Sequence, residues 1–362
     1  MRTPAASAAV TDSGLAESRS PTSTSTLNPS AAACSTPESA AITNAPAGSG
    51  PTSAASGAGP PLTTRARPDA AAGDSTGRVC QDRGVLVVTL GDLLLDVVVR
   101  LEAPPAPDDD VPAAIALVPG GQAANVAAWV CWLGGQARLI ARRADDAAGR
   151  VVAAEMQRLG VELAGPVVEG ERSGTVVALV APGGARTLAS DRSAAGELGP
   201  DDVDEGMLAG ADVLHVAGYT LLREPGAEAA LRLAEAARRY GARVTVDLST
   251  AHGIEQLGRG HMRRRVAALA PNVVFANEAE AEVFGDALGD VWVVKRGARG
   301  CTVEQGGEVV AHAPVAIERV VDTTGAGDAF AAGFLLEQDP SAGAQRGQAA
   351  AARCVTRVGA LP

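Results

Sequence analysis

Residues 322–330 read DTTGAGDAF and lead into an apolar run that ends near Glu337. Asp328 stands where a helix is expected to begin, directly after Gly325, Ala326 and Gly327. Free N–H groups at a helix mouth point outward, and the helix dipole favours negative charge beside them. Two uses of that geometry stay open at this point. One is a tight turn followed by an acidic first-turn residue, worth a few tenths to about 1 kcal/mol. The other is an anion-binding turn that holds a transferring phosphoryl group, with Asp328 receiving the proton of the attacking hydroxyl. A carboxylate with a reference pKa of about 4 is a weak base, but that proton moves late and demands little base strength. The segment is not GxxxxGK(S/T), which excludes a P-loop.

Four other places carry residues of the right chemistry. In PGGQAAN, residues 119–125, Gly120 and Gly121 let backbone approach a ligand, and Asn125 can donate and accept at once. Asp92 and Asp96 follow the first apolar run, and Asp96 inside LLLDVVV is costly unless wetted or paired, which makes it a candidate for binding hydroxyls. In VVFANEAEAEVF, Asn277 and Glu280 have the spacing of a capping box. The same two oxygen-bearing side chains could instead stand near a magnesium ion and a phosphate chain, with Glu280 reaching the metal through water. Lys295 is the sole lysine of the chain and ends a strand before Gly297 and Gly300, where its compact charge could reach phosphate.

These residues need a scaffold that brings distant segments together. Val-rich runs at 84–102, 137–141, 214–217, 244–248, 273–276 and 291–295 alternate with helical stretches such as 228–240. That alternation predicts an α/β fold with a mostly parallel sheet and helices on both faces. Residues 111–118 and 174–190 interrupt it with β-type runs around a Pro-Gly-Gly turn. They predict a small separate sheet, with strands from about 97–118 and 166–190, that could act as a lid and exclude water. Residues 1–82, rich in Ala, Ser, Thr, Pro and Gly, are expected to form a disordered tail, with the folded domain spanning 83–362.

Composition narrows the function classes. A net charge of -11 argues against nucleic acid as partner, and Arg263-Arg264-Arg265 is expected to be a solvated helix face. No run of about 18 apolar residues predicts a membrane span. Five widely spaced cysteines without a CxxC pair give no zinc or disulfide framework and suit a reducing, cytoplasmic setting. GDLLLD lacks GxGxxG, which disfavours a dinucleotide-dependent oxidoreductase. Aromatics make up 2% of the chain, so the core must be built mainly from Ala, Val and Leu.

In order, PGGQAANVAAWVCWLGG, NEAE, GARG and DTTGAGDAFAAGFL resemble the motifs of the ribokinase-like (PfkB) carbohydrate kinase family across roughly 84–361. The closing TRVGALP is similar to that family's last strand region. The resemblance implies a ribokinase-like three-layer fold with a small β-sheet lid, and an ATP-dependent kinase acting on a sugar such as ribose, or on a nucleoside or pseudouridine. It implies Asp328 as base, Gly325, Ala326 and Gly327 as anion hole, and Asp96, Gly120, Gly121 and Asn125 as substrate-binding residues. Asn277 and Glu280 would serve magnesium and phosphate, Lys295, Gly297 and Gly300 the nucleotide, and the region around 350–354 the adenine. In some relatives K+ sits behind the anion hole, and lid strands pair into homodimers. Three stretches depart from the family pattern: Arg143-Ala144-Asp145-Asp146, Ser193-Ala194-Ala195 and Asp247-Leu248-Ser249. They spare the transfer chemistry and blur substrate identity, and a non-catalytic sugar-binding protein on the same fold is the remaining alternative.

Overall fold

The computed structural model describes residues 84–362. The expected tail, 1–82, lies outside the described residues. A nine-stranded sheet runs in the order Glu308–His312, Cys301–Gln305, Val291–Lys295, Val273–Asn277, Arg243–Asp247, Val213–Ala217, Leu86–Leu90, Gln136–Ile140 and Glu162–Ala164. From Val291–Lys295 onward every pairing is parallel, and the first two strands add an antiparallel edge. The central strands are short Val/Leu runs such as LVVTL and VLHVA, buried along their whole length because helices cover both faces.

Alternation along these strands divides the core in two. Val87 packs into the layer of Gln122–Trp132, Ala326–Leu335 and Pro340–Cys354. Val88 packs into the opposite layer, with Gly226–Arg239 and Arg259–Ala268. The chain has four phenylalanines, all buried. Phe275, on a central strand, meets Phe334 edge-on at 5.1 Å and Phe330 at 6.4 Å. Both partners lie on Ala326–Leu335, so this cluster seats the helix that carries Asp328 against the strand that ends in Asn277. Each such ring contributes about 1.5–3 kcal/mol by burial, and each edge-on pair about 0.5–1.5 kcal/mol more.

The apolar run 84–102 divides at Gly91 and Asp92. Leu86–Leu90 enters the main sheet, while Leu94–Leu101 crosses to a second sheet ordered Ala113–Gly120, Leu94–Leu101, Thr175–Val180, Arg186–Asp191. Asp96 therefore lies within a strand of the small sheet, opposite Val118 and Val176. Hydrophobicity alone cannot register a chain leaving one sheet for another. The small sheet also departs from the expected bounds, with strands at Leu94–Leu101, Ala113–Gly120, Thr175–Val180 and Arg186–Asp191. Val167–Val168 pairs with Arg143–Ala144 in a separate two-stranded ladder, so the stretch before Thr175 is not part of it. Residues 356–362, expected as a closing strand, form none. They tuck beneath the Gly325 turn, where Ala360 accepts a hydrogen bond from Trp129 Nε1 at 2.8 Å and Gly359 N donates to Asp322 at 3.1 Å.

The turn that joins the two sheets to the first helix depends on Gly121. Its φ is 102°, and a Cβ there would collide with the backbone carbonyl of Asp92. Gly297, with φ 55°, faces open space. We expect Gly121→Ala to lower unfolding stability by about 1–3 kcal/mol or more. Gly297→Ala should cost less than half as much, with denaturant midpoints as the measurement.

Candidate active site

Three neighbouring parallel strands end in Asp247, Asn277 and Lys295, with Asn277 and Lys295 directly opposite each other in register. All three side chains are polar at the point where the hydrophobic strand meets the cleft, the usual position for ligands in open α/β sheets. Lys295 turns inward and donates to Asp247 at 2.5 Å, with side-chain exposures of 14% and 1%. Burial alone would depress the ammonium. The Asp247 and Glu280 carboxylates outweigh it and hold Lys295 above the ordinary lysine range.

Asn277 and Glu280 realise the capping box. Glu280 N donates to Asn277 Oδ1 at 2.9 Å, while the Glu280 oxygens accept from Asn277 N at 2.8 Å and Asn277 Nδ2 at 2.7 Å. Glu280 is buried, and burial followed by the Asp247 charge raises its pKa to about 7. Among the described residues no group of carboxylate, His or Cys side chains converges into a metal cage. A hard cation held mainly by phosphate oxygens and water, reaching Glu280 indirectly, fits this donor set, whereas direct coordination by several side chains does not.

Asp328 stands on the other wall. Gly325, in the left-handed region at φ 77°, precedes the Ala326–Leu335 helix. A Cβ on Gly325 would come within 2.6 Å of Ala360 Cα, so the C-terminal segment braces this turn. Among the described residues the amides of Gly325, Gly327 and Asp328 make no hydrogen bond, whereas Ala326 N reaches Thr323 O at 3.3 Å. Gly327 packs beside Lys295, whose Nζ would lie 3.3 Å from a Cβ at that position. Behind the turn Asp322 accepts from Thr324 N at 3.0 Å and from the Arg186 guanidinium at 2.8 Å. Burial opposes ionisation there, and these hydrogen bonds overcome it and hold Asp322 far below the usual carboxylate range.

Asn125 Nδ2 donates to Asp328 Oδ2 at 2.8 Å, across 203 residues of chain. The Gln122 side chain lies beside Asp328 and favours its ionised form. Burial first, and then the nearby Asp247 charge, push Asp328 up to about 7 despite these contacts. Asn125 Oδ1 is buried with no partner, an acceptor left for a donor that the protein does not provide. Asp96 likewise makes no hydrogen bond or ion pair among the described residues, and burial raises it to about 6. Its carboxylate lies over Gly120 so closely that a Cβ there would overlap it.

The structure thus gathers Asp328, Asn125, Glu280, Lys295 and Gly327 around one cleft. Gly120 and Asp96 are in contact with each other, and Gly121 is the residue before the Asn125 helix. Gly297 and Gly300 belong to a turn beyond Lys295, where Gly300 is required by close approach to the His312 carbonyl. Sequence reasoning missed Asp247, Gln122 and Arg186 as parts of this arrangement. Asp247 had a legible signal, a charge ending the buried run VTVD at a strand terminus. The other two had none, because their partners are far away in sequence.

One lysine faces three carboxylates in this buried cluster, so Lys295 is indispensable to it. We expect Lys295→Met to destabilise the protein by about 3–5 kcal/mol, because Asp247 is left as an unpaired buried charge. Adding Asp247→Asn should recover most of that loss. Equilibrium denaturation of the single and double variants measures both.

A family model for pfkB family carbohydrate kinases matches residues 85–362. The chain is 29% identical to Fructokinase-1 of Oryza sativa subsp. japonica over 286 residues, covering 72% of this chain and 85% of the relative. It is 30% identical to the ATP-dependent ribose-1-phosphate kinase of Halopiger xanaduensis over 262 residues, covering 69% and 84%. The crystal structure of adenosine kinase from Sinorhizobium meliloti superposes with a TM-score of 0.68 at 26% identity, covering 77% of this chain and 96% of that one. Its sequence and its ribokinase-like α/β fold together make this chain a member of the pfkB family of carbohydrate kinases, phosphotransferases of sugars and nucleosides.

Proposed function

We propose that the protein transfers the γ-phosphoryl group of ATP directly to a hydroxyl of a small sugar, with Asp328 as the base. The observation that carries this reading is the Asn125–Asp328 hydrogen bond, which sets the substrate signature of the N-terminal half against the carboxylate at the helix mouth. A sugar hydroxyl placed there can donate to Asp328 while another satisfies the orphaned Asn125 Oδ1. Asp96, uncompensated and half-buried, accepts further hydroxyls. The free amides of Gly325, Gly327 and Asp328 face the developing charge on the phosphoryl oxygens, and Lys295 supports that charge from beside Gly327. Magnesium, when bound with ATP, supplies neutralisation of the phosphate oxygens, and Asn277 and Glu280 would hold its water shell. The small sheet closes over the acceptor as a lid, and Arg186, on its edge strand, already reaches Asp322 and Thr324 of the anion turn. Exposed Ile115, Leu117 and Leu188 on that sheet offer an apolar surface through which two lids can pair.

A sugar is favoured over a nucleoside because a base-stacking wall is missing among the described residues near the cleft. All four phenylalanines are in the core, and the ring of Tyr219 is already covered by Arg192 at 4.8 Å.

Asp328→Asn should lower kcat by about 10²–10⁴-fold in a coupled ATP-consumption assay with the best acceptor. Retention of full turnover by the folded variant would sink the assignment. The wild-type kcat/KM should rise with pH through a limb near 7, as Asp328 ionises in the free enzyme. Stability moves the opposite way. The folded pKa of Asp328, about 7, lies above its ordinary 3.8, so the stability of its neutral form is fully present below about 4 and is lost as pH rises through 7. The Asn variant keeps the neutral form, so its Tm advantage over wild type should grow between pH 4 and pH 8.

A further inference from the structure

Beside the acceptor site, at the ends of Leu86–Leu90 and Val213–Ala217, lies a cavity that the mechanism above does not use. Its walls carry Asp92, Arg192, Tyr219, Thr220 and Arg223. The cavity adjoins the Gly120–Gly121 turn, because the carbonyl of Asp92 presses directly on Gly121. It also reaches toward Asp328. Tyr219 N donates to Ser249 Oγ at 3.3 Å, Ser249 Oγ donates to Gln122, and the Gln122 side chain lies beside Asp328.

The charges in this cavity do not balance. Asp92, buried, is paired with Arg192, whose guanidinium also lies over the Tyr219 ring. The guanidinium of Arg223, exposed at the cavity mouth, has no hydrogen-bond or ion-pair partner among the described residues. It nevertheless stands close enough to Arg192 that, after burial, its charge is what most lowers the proton affinity of that residue. Two guanidinium groups therefore stand near one carboxylate, and only Arg192 engages it. Thr220 Oγ1 is buried in the same wall with no partner, a hydroxyl free to donate. An anchored Arg192, an unpaired Arg223 beside it and an unsatisfied hydroxyl match a carboxylate or a phosphate, which accept several charge-assisted hydrogen bonds at once.

We infer that the acceptor carries an anionic substituent, a carboxylate or a phosphate, that seats between Arg192, Arg223 and Thr220 while its hydroxyl faces Asp328. This rests on the kinase reading for the identity of the bound molecule. The substrate class is then a sugar acid or a sugar phosphate rather than a neutral sugar. Arg192 is anchored by Asp92 and orients the group, and Arg223 supplies the uncompensated charge.

Titration calorimetry without ATP and turnover with ATP test this together. The probes are ribose and fructose as neutral sugars, 2-keto-3-deoxygluconate as carboxylate, and ribose 1-phosphate as phosphate. At least one anionic probe should bind about tenfold or more tighter than both neutral sugars. Arg223→Gln should shrink that preference by about ten- to a hundredfold, carried in Kd and KM rather than kcat. Thr220→Val should weaken the same ligand by a smaller factor. The carboxylate and phosphate arms say which group the cavity prefers. Neutral sugars binding as tightly as both anions, or an Arg223→Gln protein that keeps the full anionic preference, overturns the inference. Binding decides this even if no probe is phosphorylated, an outcome that counts against the kinase reading alone.

Discussion

The Lys295–Asp247 ion pair is the constraint around which the cleft is organised. It sits at the ends of two parallel strands, almost out of water, where separated charges are expensive. Lys295 stays charged there because Asp247 and Glu280 outweigh its burial. The balance stops short of neutrality. Asp247, Glu280 and Asp328 are three carboxylates around one ammonium, and two of them, Glu280 and Asp328, are pushed up to about 7. The cleft is therefore poised to accept positive charge or to hold protons. A carboxylate poised near neutrality is a far better proton acceptor than one at its reference value.

That electrostatic arrangement rests on a core with few large side chains. Three of the four phenylalanines lie beneath the site, where Phe275, Phe330 and Phe334 lock the Asp328 helix to the sheet. Close backbone approaches do the rest. The Gly325 turn is pressed against Ala360, and Gly121 against Asp92, so the Asp328 and Asn125 motifs are each held by a segment remote in sequence. Trp129 ties these regions further, packed inside the helix that bears Asn125 and bonded to Ala360.

Much of this was legible before any coordinates. Asp328, its glycines, Asn125 and the Asn277–Glu280 pair stood out by type and spacing, and the alternation of Val runs with helices implied the sheet. Two kinds of feature were not legible. One is the sum of charges: nothing local to Lys295 announces Asp247, 48 residues earlier. The other is the point where a continuous apolar run changes sheets, as at Gly91, since both halves are equally hydrophobic. Asn277 and Glu280 show a third case, where cap and functional readings coincide. The capping box is fully formed, and it also fixes a buried carboxylate beside Lys295.

Burial and charge imbalance are expected to hold Asp328 protonated nearly to neutrality in the free protein. Infrared difference spectra of wild type against Asp328→Asn, recorded across pH, read that carboxyl group directly. The account predicts a protonated carboxyl band that persists past pH 5 and disappears with a midpoint near 7. A midpoint near the ordinary value of about 4 would contradict it.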